Sequence, residues 1–167
     1  MELHAAALGG RIFKTTGDGL LVEFPSAVQA LRCAIAIQDS QCEHNAGRAS
    51  EYDLELPEAE RLHLRIGVHQ GEVVPEGDDL LGDGVVVAAR LEPLAEPGGI
   101  CISGRVREDA AGKVTLDVED LGVPALKNIT QKVRVFRVLL SAEPKPALAL
   151  PDMPSLAVST AATNCAR

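Results

Sequence analysis

Aromatic side chains are scarce in this 167-residue chain, at 2% of all residues, and tryptophan is missing altogether. Because 46% of the residues are nevertheless hydrophobic, the core has to be built from valine, leucine, isoleucine and alanine. No apolar run approaches the roughly 20 residues that cross a bilayer, and residues 1–8 lack the basic start of a signal peptide. One domain without a membrane segment is the prediction, and the compartment expected is the cytoplasm.

The sequence also lacks an excess of positive charge and the residue spacings typical of zinc sites. The net charge of −8 excludes a general nucleic-acid binder, which needs a basic face. No C-x-x-C or H-x-x-x-H pair is present, which argues against zinc. Free, buried thiols in a reducing cytosol are expected for the cysteines, and structural roles for His63 and His69. The cysteines are Cys33, Cys42, Cys101 and Cys165.

Apolar spacing and turn residues divide the chain into short elements. Strands are predicted over 11–15, 20–24, 62–68, 71–74, 100–103, 114–120 and 133–139. Helices are predicted from the N-cap Ser26 to about 38, over 84–95 and over 105–109, with a polar surface loop over 44–60. Four prolines within 142–154 predict an extended linker, so the domain is assigned to 1–140 and a linker with a disordered tail to 141–167.

Two segments carry the residues of chemical interest. The first, 10–24, holds Lys14 and, in a Thr-Gly-Asp-Gly hairpin turn, Asp18. The second, 79–90, begins at Asp79 and ends at Arg90 within an apolar helix. Taken singly, each has an ordinary explanation: a solvated edge lysine, turn aspartates, and an arginine in an intrahelical ion pair with Glu92 or Glu96. Taken together, they suit a metal-bound triphosphate.

The combination resembles the catalytic domain of the class III nucleotidyl cyclases, the bacterial adenylate/guanylate cyclase family. The segments that carry the resemblance are 9–19, 64–73, 82–92, 97–103 and 126–129. It implies an α/β (α+β sandwich) fold of the ferredoxin-like cyclase type, a mostly antiparallel sheet with helices on one face. It also implies a head-to-tail homodimer, in which Asp18, Lys14 and Asp79 face Arg90 across the interface.

The resemblance further implies roles for single residues. Lys14 and Asp79 would read the adenine of ATP, because lysine donates to a ring nitrogen and aspartate accepts from the exocyclic amine. Asp18 would be one of two aspartates that bind the metal, which is two Mg²⁺ or Mn²⁺ ions in the family, and Arg90 would stabilise charge on the α-phosphate. Lys127 is a further candidate for the triphosphate. The reaction implied is conversion of ATP to cAMP and pyrophosphate.

Two departures from the family pattern predict impaired activity. The family domain opens with a strand that carries a second metal aspartate, followed by a helix, and residues 1–8 hold neither, so the domain is expected to be incomplete at its N-terminus. The family places asparagine seven residues after the base-reading aspartate, where this chain has Val86. Alternatives that stay open are a non-catalytic module that dimerises or binds nucleotide, and a decayed gene fragment. A diguanylate cyclase is disfavoured, since no Gly-Gly-Asp/Glu-Glu-Phe run exists.

Overall fold

The computed structural model describes residues 2–17, 19–51 and 61–140, and within them the chain forms four α-helices and eight strands. The predicted linker and tail, 141–167, lie outside the described residues. The helices are α1 (Glu2–Ala7), α2 (Ala27–Glu51), α3 (Asp83–Leu91), which a 3-10 turn (Glu92–Leu94) continues, and α4 (Gly104–Ala110). The strands are β1 (Arg11–Thr16), β2 (Gly19–Glu23), β3 (Ile66–Val68), β4 (Val74–Glu76), β5 (Asp79–Leu81), β6 (Ile100–Ser103), β7 (Asp117–Gly122) and β8 (Val135–Leu139).

A four-stranded sheet forms the centre of the fold, in the order β3-β6-β8-β7. β3 runs parallel to β6, and the other two pairs are antiparallel. Side chains alternate between the faces of a strand. Ile100 and Ile102 of β6 therefore point into a core shared with α2 and α4, whereas Cys101 points into a second core shared with α3. The sheet is mostly antiparallel as expected, but the expectation that the helices share one face was wrong for α3.

Gly67, in the middle of β3, sets how closely α3 approaches the sheet. A Cβ at this position would lie 2.6 Å from the Ala88 carbonyl oxygen and 2.6 Å from the Glu92 nitrogen. Both are backbone atoms, so a side chain could be accepted only if the helix moved away. The missing side chain of Gly67 thus fixes the position of α3.

Two β-hairpins complete the described part of the fold, and neither is hydrogen-bonded to the four-stranded sheet there. β1 pairs with β2, and β4 pairs with β5; both pairs are antiparallel. Gly17 and Gly77 stand in the turns with φ of 62° each, which is the left-handed region that glycine adopts without strain. The predicted turn between β1 and β2 is confirmed. Val22 and Phe24 hold that hairpin against the core of α2 and α4.

Helix α2 begins where the sequence predicts and continues further. Ser26 is the N-cap, since its Oγ accepts a hydrogen bond from the Gln29 backbone N–H at 3.2 Å. The predicted loop over 44–60 was wrong as far as Glu51, the last described residue of α2; residues 52–60 lie outside the described residues. Asn45 holds this second half in place: its side chain donates to the Leu62 carbonyl at 3.1 Å and accepts from the Leu62 N–H at 3.3 Å.

The strand predicted over 71–74 was also wrong, because β4 begins only at Val74. Residues 71–73 instead pack against the start of α3. A Cβ on Gly71 would lie 2.8 Å from the Gly84 Cα, so two glycines meet where these segments cross. That close packing takes the place of strand pairing.

Candidate functional site

Lys14 and Asp79, 65 residues apart in the sequence, meet where the two hairpins touch. The Lys14 Nζ lies 2.5 Å from Asp79 Oδ2, and the two side chains are 44% and 35% exposed. The pairing register of β1 shifts between Ile12 and Lys14, which changes the direction in which the lysine points. The two residues predicted to read a purine are therefore neighbours that present a cation and a carboxylate side by side.

Asp79 is held by its own backbone as well as by the lysine. Its Oδ1 accepts a hydrogen bond from the Leu80 N–H at 2.8 Å. The Lys14 hydrogen bond, with a smaller contribution from the Leu80 N–H, keeps the pKa of the Asp79 carboxyl below its ordinary value. The carboxylate is ionised at neutral pH, so it can only accept hydrogen bonds. That property is needed to bind an exocyclic amine.

Asp18, the predicted metal ligand, lies outside the described residues. β1 ends at Thr16 and β2 begins at Gly19. Within residues 2–17, 19–51 and 61–140, no group of three histidine, cysteine, aspartate or glutamate side chains could hold a metal ion. The described residues therefore do not complete a magnesium site by themselves.

Arg90 and Lys127 form a second meeting point. Arg90 lies half-buried in the last turn of α3, and its Nε donates to the Lys127 carbonyl oxygen at 3.4 Å. Leu126, next to Lys127, packs into the core beneath α3 and anchors this loop. Of the two acids named in the alternative of an intrahelical ion pair, Glu96 pairs with Arg137, at 3.1 Å between Glu96 Oε1 and Arg137 Nη1.

Val86 lies one helical turn before Arg90, on the same side of α3. Its side chain is 39% exposed, which is unusual for a valine in so apolar a helix. Three further exposed apolar side chains lie nearby along the chain, on β4, on β5 and just before β4. They are Val73, Val74 and Leu81, at 42%, 64% and 46% exposure.

His69 has a partner that its position in the sequence did not reveal. Its Nδ1 forms a hydrogen bond with Ser103 Oγ at 2.9 Å. Burial, with a smaller contribution from Arg105, lowers the pKa of His69 to about 4, so the ring is neutral at neutral pH. The predicted structural role for this histidine agrees with the contact. Only the parallel pairing of β3 with β6 brings the two residues together.

A family model described as the adenylate and guanylate cyclase catalytic domain matches residues 14–137. The chain belongs to the class III nucleotide cyclase family. "Putative adenylate cyclase 3" of Rhizobium meliloti (strain 1021) is 42% identical over 159 residues, and the match covers 89% of this chain and 25% of that protein. The cyclase domain thus spans about a quarter of the length of this relative.

Solved structures give the same assignment. An adenylate/guanylate cyclase/hydrolase from Silicibacter pomeroyi is 42% identical, with a TM-score of 0.73, covering 83% of this chain and 76% of that one. The adenylyl cyclase CyaB from P. aeruginosa has a TM-score of 0.63 at 22% identity. The match covers 84% of this chain and 76% of that one, and it supports the fold alone. The ferredoxin-like cyclase fold expected from the sequence is confirmed. None of the helices in the described part is long and apolar enough to span a membrane.

Proposed function

We propose that this cyclase domain is an adenylate cyclase, which converts ATP to cAMP and pyrophosphate. The observation that carries the proposal is the contact between Lys14 and Asp79 at 2.5 Å. Adenine presents an acceptor, N1, beside a donor, the N6 amine, and this pair presents a donor beside an acceptor. Guanine presents O6 and N1–H there instead, so its carbonyl would face the Asp79 carboxylate.

In the proposed reaction the ribose 3′-oxygen attacks the α-phosphorus, and the bond to the pyrophosphate oxygen breaks. The 3′-hydroxyl proton leaves to solvent, and the electron pair leaves with pyrophosphate. Arg90, held by the Lys127 carbonyl, would place a guanidinium against the charge that develops on the α-phosphate. Mg²⁺ or Mn²⁺, if Asp18 holds it, would neutralise phosphate charge and acidify the hydroxyl. The cytoplasm remains the proposed compartment, and the free thiols of Cys33, Cys42 and Cys101 support it.

Base selectivity tests the proposal directly. We expect ATP to bind more tightly than GTP, as measured by calorimetry. Asp79→Ala should weaken ATP binding about ten- to hundredfold, because it removes a charged hydrogen-bond acceptor. Asp78→Ala is the matched control, since Asp78 is an exposed carboxylate in the adjoining turn and should leave both affinities unchanged. Equal binding of ATP and GTP by the unmodified chain would refute the assignment.

We also propose that the cyclase domain acts as a homodimer and that its turnover is low. Four exposed apolar side chains on and near β4, β5 and α3 support the proposal that a second copy of the chain binds here. They are Val73, Val74, Leu81 and Val86. Val74→Asp should then shift the sedimentation coefficient towards the monomer. Val123→Asp, at a valine 53% exposed outside this group, should not. Equal behaviour of the two variants would exclude this surface.

A non-catalytic, nucleotide-binding or dimerising module is the second candidate, and exposed Val86 favours it. Valine cannot offer the hydrogen bond that asparagine provides at this position in the family. If the chain is an impaired enzyme, Val86→Asn should raise kcat about 10²-fold, because a positioned amide acts on the transition state. Val86→Ala is the control for loss of apolar bulk. No cAMP from either variant, together with retained ATP binding, would favour the binding module.

A further inference from the structure

The Ser103 hydroxyl stands at the N-cap of α4 but does not cap the helix. Its backbone has the extended conformation usual for an N-cap, with φ of −79° and ψ of 161°, yet its side chain forms no capping hydrogen bond. A serine at this position normally accepts from a backbone N–H two or three residues later. Here the hydroxyl, whose residue is 1% exposed, is directed to His69 Nδ1 at 2.9 Å. The helix thus begins without a side-chain cap, and the hydroxyl instead joins β6 to the loop that follows β3.

That loop supports the base of the β4–β5 hairpin. A Cβ on Gly71 would lie 3.0 Å from His69 Nε2 and 2.8 Å from the Gly84 Cα. The imidazole ring and the start of α3 therefore both pack closely against Gly71. Ser103 holds the ring by a hydrogen bond at Nδ1, and the opposite nitrogen of the ring lies against the segment that leads into β4.

The hairpin connects this base to Asp79. Its first pair, Val74 with Leu81, lies next to the loop, and its last pair is Glu76 with Asp79. The carboxylate that meets Lys14 is thus at the far end of a hairpin only three pairs long. A tilt at the base moves the far end, and a 2.5 Å contact between charged atoms does not tolerate a large movement.

The imidazole suits this role because it stays neutral. Burial lowers the pKa of His69 to about 4, and Arg105 adds to the effect. The charged groups that line the adjoining cleft are Glu72, Arg105, Glu108 and Asp109. Within the described part of the chain the hydrogen bond of the ring is to the hydroxyl of Ser103.

We propose that His69 is a positioning residue, whose hydrogen bond to Ser103 fixes the base of the β4–β5 hairpin and thereby keeps Asp79 within reach of Lys14. The consequence for ATP recognition rests on the proposed function. The positioning itself does not, because it concerns contacts within the free chain.

Amide hydrogen exchange, read residue by residue by NMR at pH 7, tests the positioning without nucleotide. The reporters are the backbone amides of β4 and β5. They include the Leu80 N–H, which donates to Asp79 Oδ1. His69→Ala and Ser103→Ala should each accelerate exchange there about five- to tenfold, the effect of losing one hydrogen bond, and leave α2 and β8 unchanged. The two changes combined should add nothing further, because they remove the same bond.

Two other variants separate positioning from general stability. His69→Asn keeps a polar group near the place of Nδ1 and should restore exchange to within about twofold of the unmodified chain. Ser26→Ala removes a serine hydroxyl that does cap a helix, so it should loosen α2 without a selective effect on the hairpin.

Unchanged hairpin exchange in His69→Ala, or acceleration of the same size in β8, would overturn the proposal; if that variant does not fold, Ser103→Ala decides by the same criterion. Calorimetry with ATP then gives a separate answer. Weaker ATP binding in His69→Ala, rescued by His69→Asn, extends the positioning to the nucleotide. If the unmodified chain binds no ATP while the hairpin responds as expected, the proposed function fails and the positioning stands.

Discussion

The replacement Gly67→Ala gives the sharpest test of how α3 is positioned. The added Cβ would lie 2.6 Å from two backbone atoms of the helix, the Ala88 oxygen and the Glu92 nitrogen. Ordinary contacts for a Cβ begin near 3.4 Å, so α3 has to recede by up to about 0.8 Å. Overpacking of this kind costs about 1–3 kcal/mol, or roughly 3–10 °C in Tm for a chain of this size.

Urea unfolding followed by circular dichroism measures this cost. Gly104→Ala is the matched control, because its Cβ would meet no atom closer than 3.7 Å at the first residue of a helix, where alanine is favourable. We expect Gly104→Ala to be neutral or slightly stabilising. Since α3 carries Arg90, Gly67→Ala should also lower any cyclase activity by up to about 10²-fold. A Gly67→Ala protein as stable as the control would refute the packing argument.

Three further predictions concern stability and reactivity. Gln38→Leu should lower the free energy of unfolding by about 2–3 kcal/mol in urea titrations, because the Gln38 amide donates to two buried or half-buried backbone carbonyls at 3.0 Å each. The pKa of His69 is 6.5 in the unfolded chain and about 4 in the folded chain, so the unfolded chain binds the proton more readily. The free energy of unfolding should therefore fall as the pH drops from 6.5 to 4. His69→Asn should flatten this pH dependence in thermal scans. Burial raises the pKa of the Cys33 and Cys101 thiols to about 11, so a thiol reagent should modify exposed Cys42 quickly and these two only on unfolding.

Local chemistry made several elements predictable from the sequence. The N-cap serine of α2, the glycine turn between β1 and β2, and the strand Ile100–Ser103 are all where the sequence placed them. The second half of α2 was missed because it has little apolar periodicity and is held by Asn45, a contact with the chain 17 residues later. Tertiary hydrogen bonds of this kind leave no mark on local hydrophobic pattern.

The candidate site shows the same division. Spacing and resemblance made Lys14, Asp79 and Arg90 candidates, and their roles stay predictions. Nothing local indicated that Lys14 and Asp79 would touch, since each has an ordinary turn or edge explanation. For Arg90 the sequence left open an ion pair with Glu92 or Glu96 beside the role on the α-phosphate, and it gave no sign that the side chain would donate to a loop carbonyl. The link between His69 and Ser103 depends on strand order, and strand order is a property of the whole fold.

Gln38 carries a consequence for how the chain folds. Its amide donates to the carbonyls of Leu64 and Gly99, which lie just before β3 and β6. Parallel pairing of two strands about 34 residues apart is slow to form, and a slip of one residue would turn Ile66 and Val68 away from their core. The Gln38 amide donates to the residues before both strands at once. Only the native alignment of β3 with β6 allows both hydrogen bonds to form. The helix therefore acts as a template, and we expect docking of α2 to select the register before the sheet is complete.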